Sequence, residues 1–170
     1  MVLADELLEL TGGNLLLLLL MTMSISLVLG MGVPTTANYI ITSLVSAWAM
    51  ASAARGLGYA PDAALLMAHM FVFNLGILAD VTSPVALAAY AASTIAKLDF
   101  FKTGLYASIL ALAGYPGPYM SAFHSDLLFV TVKNWDATAA LGVLINFASG
   151  VVLVSRRRRG VLKKAVAALP

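Results

Sequence analysis

From Leu10 to Ala54 the chain carries no charged side chain, a run of 45 residues. As one straight α-helix this run would be about 67 Å long at ~1.5 Å per residue, roughly twice the ~30 Å hydrocarbon thickness of a bilayer. A segment this apolar must therefore break. The break is visible at Gly30-Met31-Gly32-Val33-Pro34. Two glycines lower helix propensity, while Pro34 removes a backbone donor and steers Val33 away from the helical region. These features predict one helix over about 14–30, capped by Asn14, and a second over about 35–53.

Composition places this run in a membrane. Of 170 residues, 61% are apolar and 11% charged, against about 25% charged in a soluble domain. The length suits four to six membrane-embedded segments of about 20 residues. The fold class expected is an all-α integral membrane protein with discontinuous helices. Cysteine is absent, which excludes disulfides, thiol nucleophiles and cysteine-ligated metals. The N-terminus has Asp5, Glu6 and Glu9 but no basic residue, unlike a secretory signal. Six of the ten Lys and Arg residues lie in the last fifteen positions, directly after an apolar span. That placement reads as a positive-inside topology signal rather than a nucleic-acid site.

The rest of the chain divides at its polar joints. Residues 1–13 read as an interfacial segment and 14–54 as the broken helix. Arg55 to Asp62 is a connector, with Asp62 expected to cap the next helix. Residues 63–79 are helical in character, and Asp80-Val81-Thr82-Ser83-Pro84 forms a second break. The arm over 85–96 would be only about 18 Å long, too short to cross, so 63–96 reads as a re-entrant hairpin whose free backbone groups need protein or water cover. Lys97 to Lys102 is amphipathic and interfacial. Residues 104–123 read as a span interrupted at Tyr115-Pro116-Gly117-Pro118, 137–154 as a final transmembrane helix and 155–170 as a basic tail. With a re-entrant hairpin, Arg55, Lys97 and Lys102 share a side with that tail, which the positive-inside rule makes cytoplasmic.

Chemistry is expected at the breaks. A helix interrupted at membrane depth frees N–H and C=O groups that can bind ions, and each break here adds paired hydroxyls, Thr35 with Thr36 and Thr82 with Ser83. Neutral oxygens and carbonyls suit a hard monovalent cation such as Na⁺. The alternative is that Gly and Pro merely kink the helices. Asp80, the one acid at core depth before residue 100, reads either as an ion or proton ligand or as a cap on the hairpin turn. His69 and His124 stand at no metal-ligand spacing, and no HExxH or GxSxG element occurs. His69 therefore reads as a polar side chain bonded to a neighbouring helix, and no enzyme is expected.

Two stretches carry a family resemblance: GMGVPTTANYI at 30–40 and AHMFVFNLGILADVTSPVALAAYAASTIA at 68–96. They resemble the large permease of tripartite ATP-independent periplasmic (TRAP) transporters, nearest to the C-terminal part of the fused permeases of the TAXI type. Ser83 stands where the family usually has a proline, and Asn74 where it usually has an aromatic residue. The resemblance implies an elevator-type domain of two inverted repeats, each with a broken helix and a hairpin, of which this chain supplies the second. It implies ion-driven uptake of an organic acid or amino acid in a bacterial inner membrane. The partners implied are the remaining permease repeat, a small membrane subunit and a periplasmic substrate-binding protein, with membrane lipid around them and no nucleic acid. No cofactor is expected beyond Na⁺ as coupling ion. The candidate ion and substrate residues are Gly30, Gly32, Pro34, Thr35, Thr36, Asn38, Asp80, Thr82, Ser83 and Pro84. The rival expectation is a non-transporting membrane remnant or assembly protein.

Overall fold

The computed structural model describes residues 2–82 and 86–123, and every regular element among them is an α-helix. Ser83, Pro84, the final span at 137–154 and the basic tail lie outside the described residues.

The N-terminal segment is a helix, α1 (Val2–Thr11). It packs Ala4 and Leu7 into the core, and it is stopped by Gly12 and Gly13 at φ of 58° and 72°, a left-handed conformation glycine adopts without strain. Asn14 then caps α2 (Leu15–Gly30), its side-chain oxygen accepting from the amides of Leu16 at 3.0 Å and Leu17 at 3.3 Å. The expected break follows and is short. The amides of Gly32 and Val33 bond back to Leu29, Pro34 is extended, and the amide of Asn38 bonds to the Pro34 carbonyl to open α3 (Thr35–Gly56).

Helix α3 lies along α4 (Pro61–Val81), and this pair is the backbone of the fold. Alanines make the approach possible. Ala47, Ala51 and Ala54 of α3 and Ala64 and Ala68 of α4 are buried, with Met50, Met67, Phe71 and Leu75 filling the space between. Small residues let helix backbones come close where lipid supplies no hydrophobic drive. The opposite faces carry Leu16, Leu17 and Val28 on α2, Ile41 and Leu44 on α3, and Leu65, Phe73 and Ile77 on α4, all exposed. A water-soluble monomer rarely shows so continuous an apolar surface; hydrocarbon accounts for it.

Several expectations need correction. Asp62 does not cap α4. Pro61 opens that helix, where its missing N–H costs nothing, and Asp62 sits in the first turn. Among the described residues, α4 is the one helix long and apolar enough to cross a membrane. At 21 residues it is about 31 Å long, and it begins two residues earlier than the expected hairpin arm. Helix α3 has 22 residues but a polar stripe, and α2 has only 16.

The stretch expected as the second hairpin arm contains α5 (Leu87–Ala96), which leans chiefly on α6 (Phe100–Ala111) and only lightly on α4. The amphipathic stretch at 97–102 is a corner between them. Lys97 ends α5 at φ 52°, and Asp99 caps α6 by accepting from the Lys102 amide at 2.8 Å. The span over 104–123 is interrupted, as expected, but a little earlier than the sequence suggests. It breaks at Leu112 to Tyr115, ahead of the prolines, and Pro116 opens α7 (Pro116–Phe123). A proline in a first turn starts a helix rather than ending one.

Candidate functional site

The two breaks meet. Gly30, the last residue of α2, faces Ala79 near the end of α4, so closely that a β-carbon at position 30 would overlap the Ala79 side chain. Next to this contact the Thr35 hydroxyl, in the first turn of α3, donates to Asp80 Oδ2. Asp80 Oδ1 is buried and has no hydrogen-bond partner among the described residues. Among the described residues, Asp80 takes no bond from an amide of its own turn. It ties the end of α4 to the start of α3, 45 residues away in sequence, and α3 has no side-chain cap of its own. A carboxylate at a helix N-terminus also interacts favourably with the positive end of the helix dipole.

The expected residues divide around this junction. Gly30, Thr35 and Asp80 are brought together there. Thr36 is exposed beside it and lines a cavity of about 470 Å³ with Thr35, Tyr39, Leu66, His69, Met70 and Phe73. Thr82 turns elsewhere. Its hydroxyl donates to the Ala79 carbonyl at 3.3 Å, and it lines a separate cavity of about 630 Å³ whose walls include Leu20, Met23, Val28 and Tyr115. Gly32 and Pro34 are exposed in the turn, and Gly32 has open space around it. They shape the break.

Asn38 belongs to a feature that composition and motifs did not reveal, a polar seam between α2 and α3. Its Oδ1 accepts from the Thr42 hydroxyl at 3.0 Å and the Ser26 hydroxyl at 3.4 Å, while its Nδ2 donates to the Ser26 carbonyl at 3.0 Å. Ser46 continues the seam by donating to the Thr42 carbonyl at 2.8 Å. All four residues are buried. Thr22, one turn before Ser26, is also buried, and its hydroxyl finds no partner among the described residues. The signal in the sequence was the four-residue spacing of Thr22, Ser26 and Gly30 and of Asn38, Thr42 and Ser46, which places each set on one helix face.

His69 does bond a neighbouring helix, as expected. Its Nδ1 lies 3.1 Å from the Tyr39 hydroxyl of α3, and Phe73 meets the Tyr39 ring edge-on at 6.0 Å between centroids. Among the described residues no three His, Asp or Glu side chains cluster as a metal site.

The family model of the DctM component of tripartite ATP-independent periplasmic transporters matches residues 1–135. The chain belongs to this family. No curated protein and no solved structure matches it. The DctM match takes in both breaks and both cavities. It makes the chain a membrane component of a transporter, in a family of permeases rather than of enzymes. For a DctM-family permease the junction has a definite chemical character. It offers one carboxylate oxygen already held by a hydroxyl, a second oxygen without a partner, and the ends of three helices, α2, α3 and α4, within one small volume.

Proposed function

We propose that this chain supplies the second, C-terminal repeat of a TRAP permease that takes up an organic acid or amino acid in exchange for the energy of an ion gradient, with Na⁺ as the coupling ion. The observation that carries the reading is the Thr35–Asp80 bond with its unpartnered carboxylate oxygen. A partly buried acid with one buried oxygen left without a partner is costly at membrane depth, and such residues usually mark ion or proton paths. A bare Na⁺ satisfies that oxygen directly, and the carbonyls freed at the ends of α2 and α4 complete a shell of hard oxygen ligands. Gly30, Gly32, Pro34, Thr35, Thr36 and Asp80 build this side of the site. Thr82, Ser83 and Pro84 form the tip of a re-entrant hairpin made of α4 and the short α5. Asn38 supports the junction from behind.

In this reading the protein is a multi-pass component of the bacterial inner membrane. It works with the other permease repeat, a small membrane subunit and a periplasmic binding protein that delivers the solute. The test is uptake into proteoliposomes by the assembled transporter containing this chain. An inward Na⁺ gradient should drive uptake, and Asp80→Asn should lower it about tenfold or more, the scale expected for removing an intramembrane ion ligand. Uptake indifferent to Na⁺ and unchanged by Asp80→Asn refutes the proposal.

A further inference from the structure

The cavity of about 630 Å³ beside Thr82 follows α2. Leu20, Met23, Leu27 and Met31 line it at three- and four-residue steps, so they form one face of that helix. Ile109 of α6 and Tyr119 of α7 help to form the other side. Close-packed helices leave few voids larger than a water molecule, so a groove of this size calls for an occupant.

The end of the described chain points to one. Helix α7 follows Tyr115, on the groove wall, and leads away from the second break. Tyr119 meets Phe71 of α4 edge-on at 5.2 Å between centroids. The Ala122 carbonyl accepts from the Tyr59 hydroxyl at 3.1 Å, in the turn between α3 and α4. Phe123 thus ends α7 toward the end of the bundle opposite Asp80, and residues 124–170 continue from there.

Within 124–170 one run is apolar and long enough to cross a bilayer, 137–154, about 27 Å as a helix. The DctM match ends at residue 135, before this run begins. Residues 124–136 can bridge about 43 Å when extended, ample to bring the run to the groove. Thr138, Gly142, Asn146 and Gly150 recur every four residues and share one face of a helix. The two glycines and the threonine allow a close approach, while Asn146, near the middle of the span, needs a hydrogen-bonding partner. The groove offers both complements. Its α2 wall is made of Leu and Met side chains that adapt to a flat, small-residue face. The Tyr119 hydroxyl donates to Met23 Sδ at 3.2 Å, which leaves its oxygen to accept from an amide. A lipid acyl chain could fill the same volume but has no donor for that oxygen.

We propose that the groove along α2 seats the chain's own run 137–154 through its Thr138, Gly142, Asn146 and Gly150 face, with the Asn146 amide donating to Tyr119. The run enters from the Phe123 end and lies parallel to α2. This course carries Arg156 to Arg159 to the Asp80 end of the bundle, instead of beside Arg55 as the positive-inside count suggested. The proposal rests on the membrane reading of the chain and not on the transport reading.

Because the chain has no cysteine, disulfide crosslinking of the full chain in lipid nanodiscs starts from a silent background. Leu20→Cys and Val28→Cys on α2 are each paired with Gly142→Cys, Gly150→Cys, Leu144→Cys and Ala148→Cys, and linked peptides are read by mass spectrometry. Leu20→Cys should favour Gly142→Cys, and Val28→Cys should favour Gly150→Cys. Leu144→Cys and Ala148→Cys, on the far face of the run, should link about tenfold less. Leu44→Cys, on α3 outside the groove, should link to none of them. Equal linking on both faces, the reverse order along α2, or links to Leu44→Cys overturns the proposal. So does a lack of any link, which gives the groove to lipid, and so do links between two chains, which give it to a second copy. Thermal melting tests the bond without cysteines. Asn146→Leu and Tyr119→Phe should each lower the melting temperature by about 2–4 °C, and the double variant by no more than either alone. Additive losses overturn the Asn146–Tyr119 bond.

Discussion

The molecule's two helical pairs, α3 with α4 and α5 with α6, are built on different terms. Nine residues of α3 and nine of α4 are buried, and among them Asn38 bonds across to Ser26 of α2 while Thr42 and Ser46 bond within α3. Among the described residues α5 buries only Ala89 and Ser93, and α6 only Gly104. Helix α5 is also bracketed by two non-glycine residues at positive φ, Ala86 at 43° and Lys97 at 52°. The first pair is over-determined, with each contact supported by its neighbours; the second holds its shape at a conformational cost. In a transporter this is a reasonable division, because parts that move are drawn from the less stable end of the structure.

The contrast can be broken most forcefully at position 30. Gly30→Val should destabilise the protein by about 3 kcal/mol, since overpacking where a backbone cannot yield costs ~1–3 kcal/mol or more. Gly32→Val, two residues on but facing open space, should stay within about 1 kcal/mol. Thermal unfolding in detergent, read side by side, checks both. Equal effects would mean that the two breaks are not in contact.

A second pair concerns asparagines. Asn38→Leu removes the hub of the seam and strands the groups around Ser26 and Thr42, at a cost of about 1–3 kcal/mol for buried polar groups left without partners. Among the described residues Asn74 bonds only the Met70 carbonyl of its own helix, at 2.8 Å, so Asn74→Ala should cost less than about 0.5 kcal/mol. Denaturant unfolding of the two variants distinguishes them. A mild Asn38→Leu would place the strength of the first pair in its alanines instead.

The smallest effect belongs to the second pair and has the opposite sign. Lys97→Gly should stabilise by about 1 kcal/mol, because a left-handed residue other than glycine is strained by ~1–2 kcal/mol. A rise in melting temperature checks it, and no rise would show that the corner at α5 is relaxed.

Local rules made much of this legible in the sequence. Gly30 to Pro34 had to break a helix, Asn14 was a good cap, and the alanines announced close packing. The rules failed where the deciding partner is distant. Asp80 read either as an ion or proton ligand or as a cap on its own turn, and the partner that sequence could not show is Thr35 in another helix. Thr82 looked paired with Thr35 and Thr36 by residue type, yet the end of α4 rotates it toward a different cavity. The prolines at 116 and 118 read as the interruption itself, whereas Pro116 begins the helix that follows it. The polar seam was spelled in four-residue steps but looked like ordinary scattered hydroxyls until two helices were laid together.

The contact of Gly30 with Ala79 has a consequence for how such a protein can change over time. Where a single hydrogen atom is all the room one side has, position 30 cannot grow while position 79 keeps its β-carbon. Even an alanine at 30 needs position 79 to shrink to glycine and the Asn38 amide, 3.1 Å from such a β-carbon, to give way, so the two breaks constrain each other although 48 residues separate them.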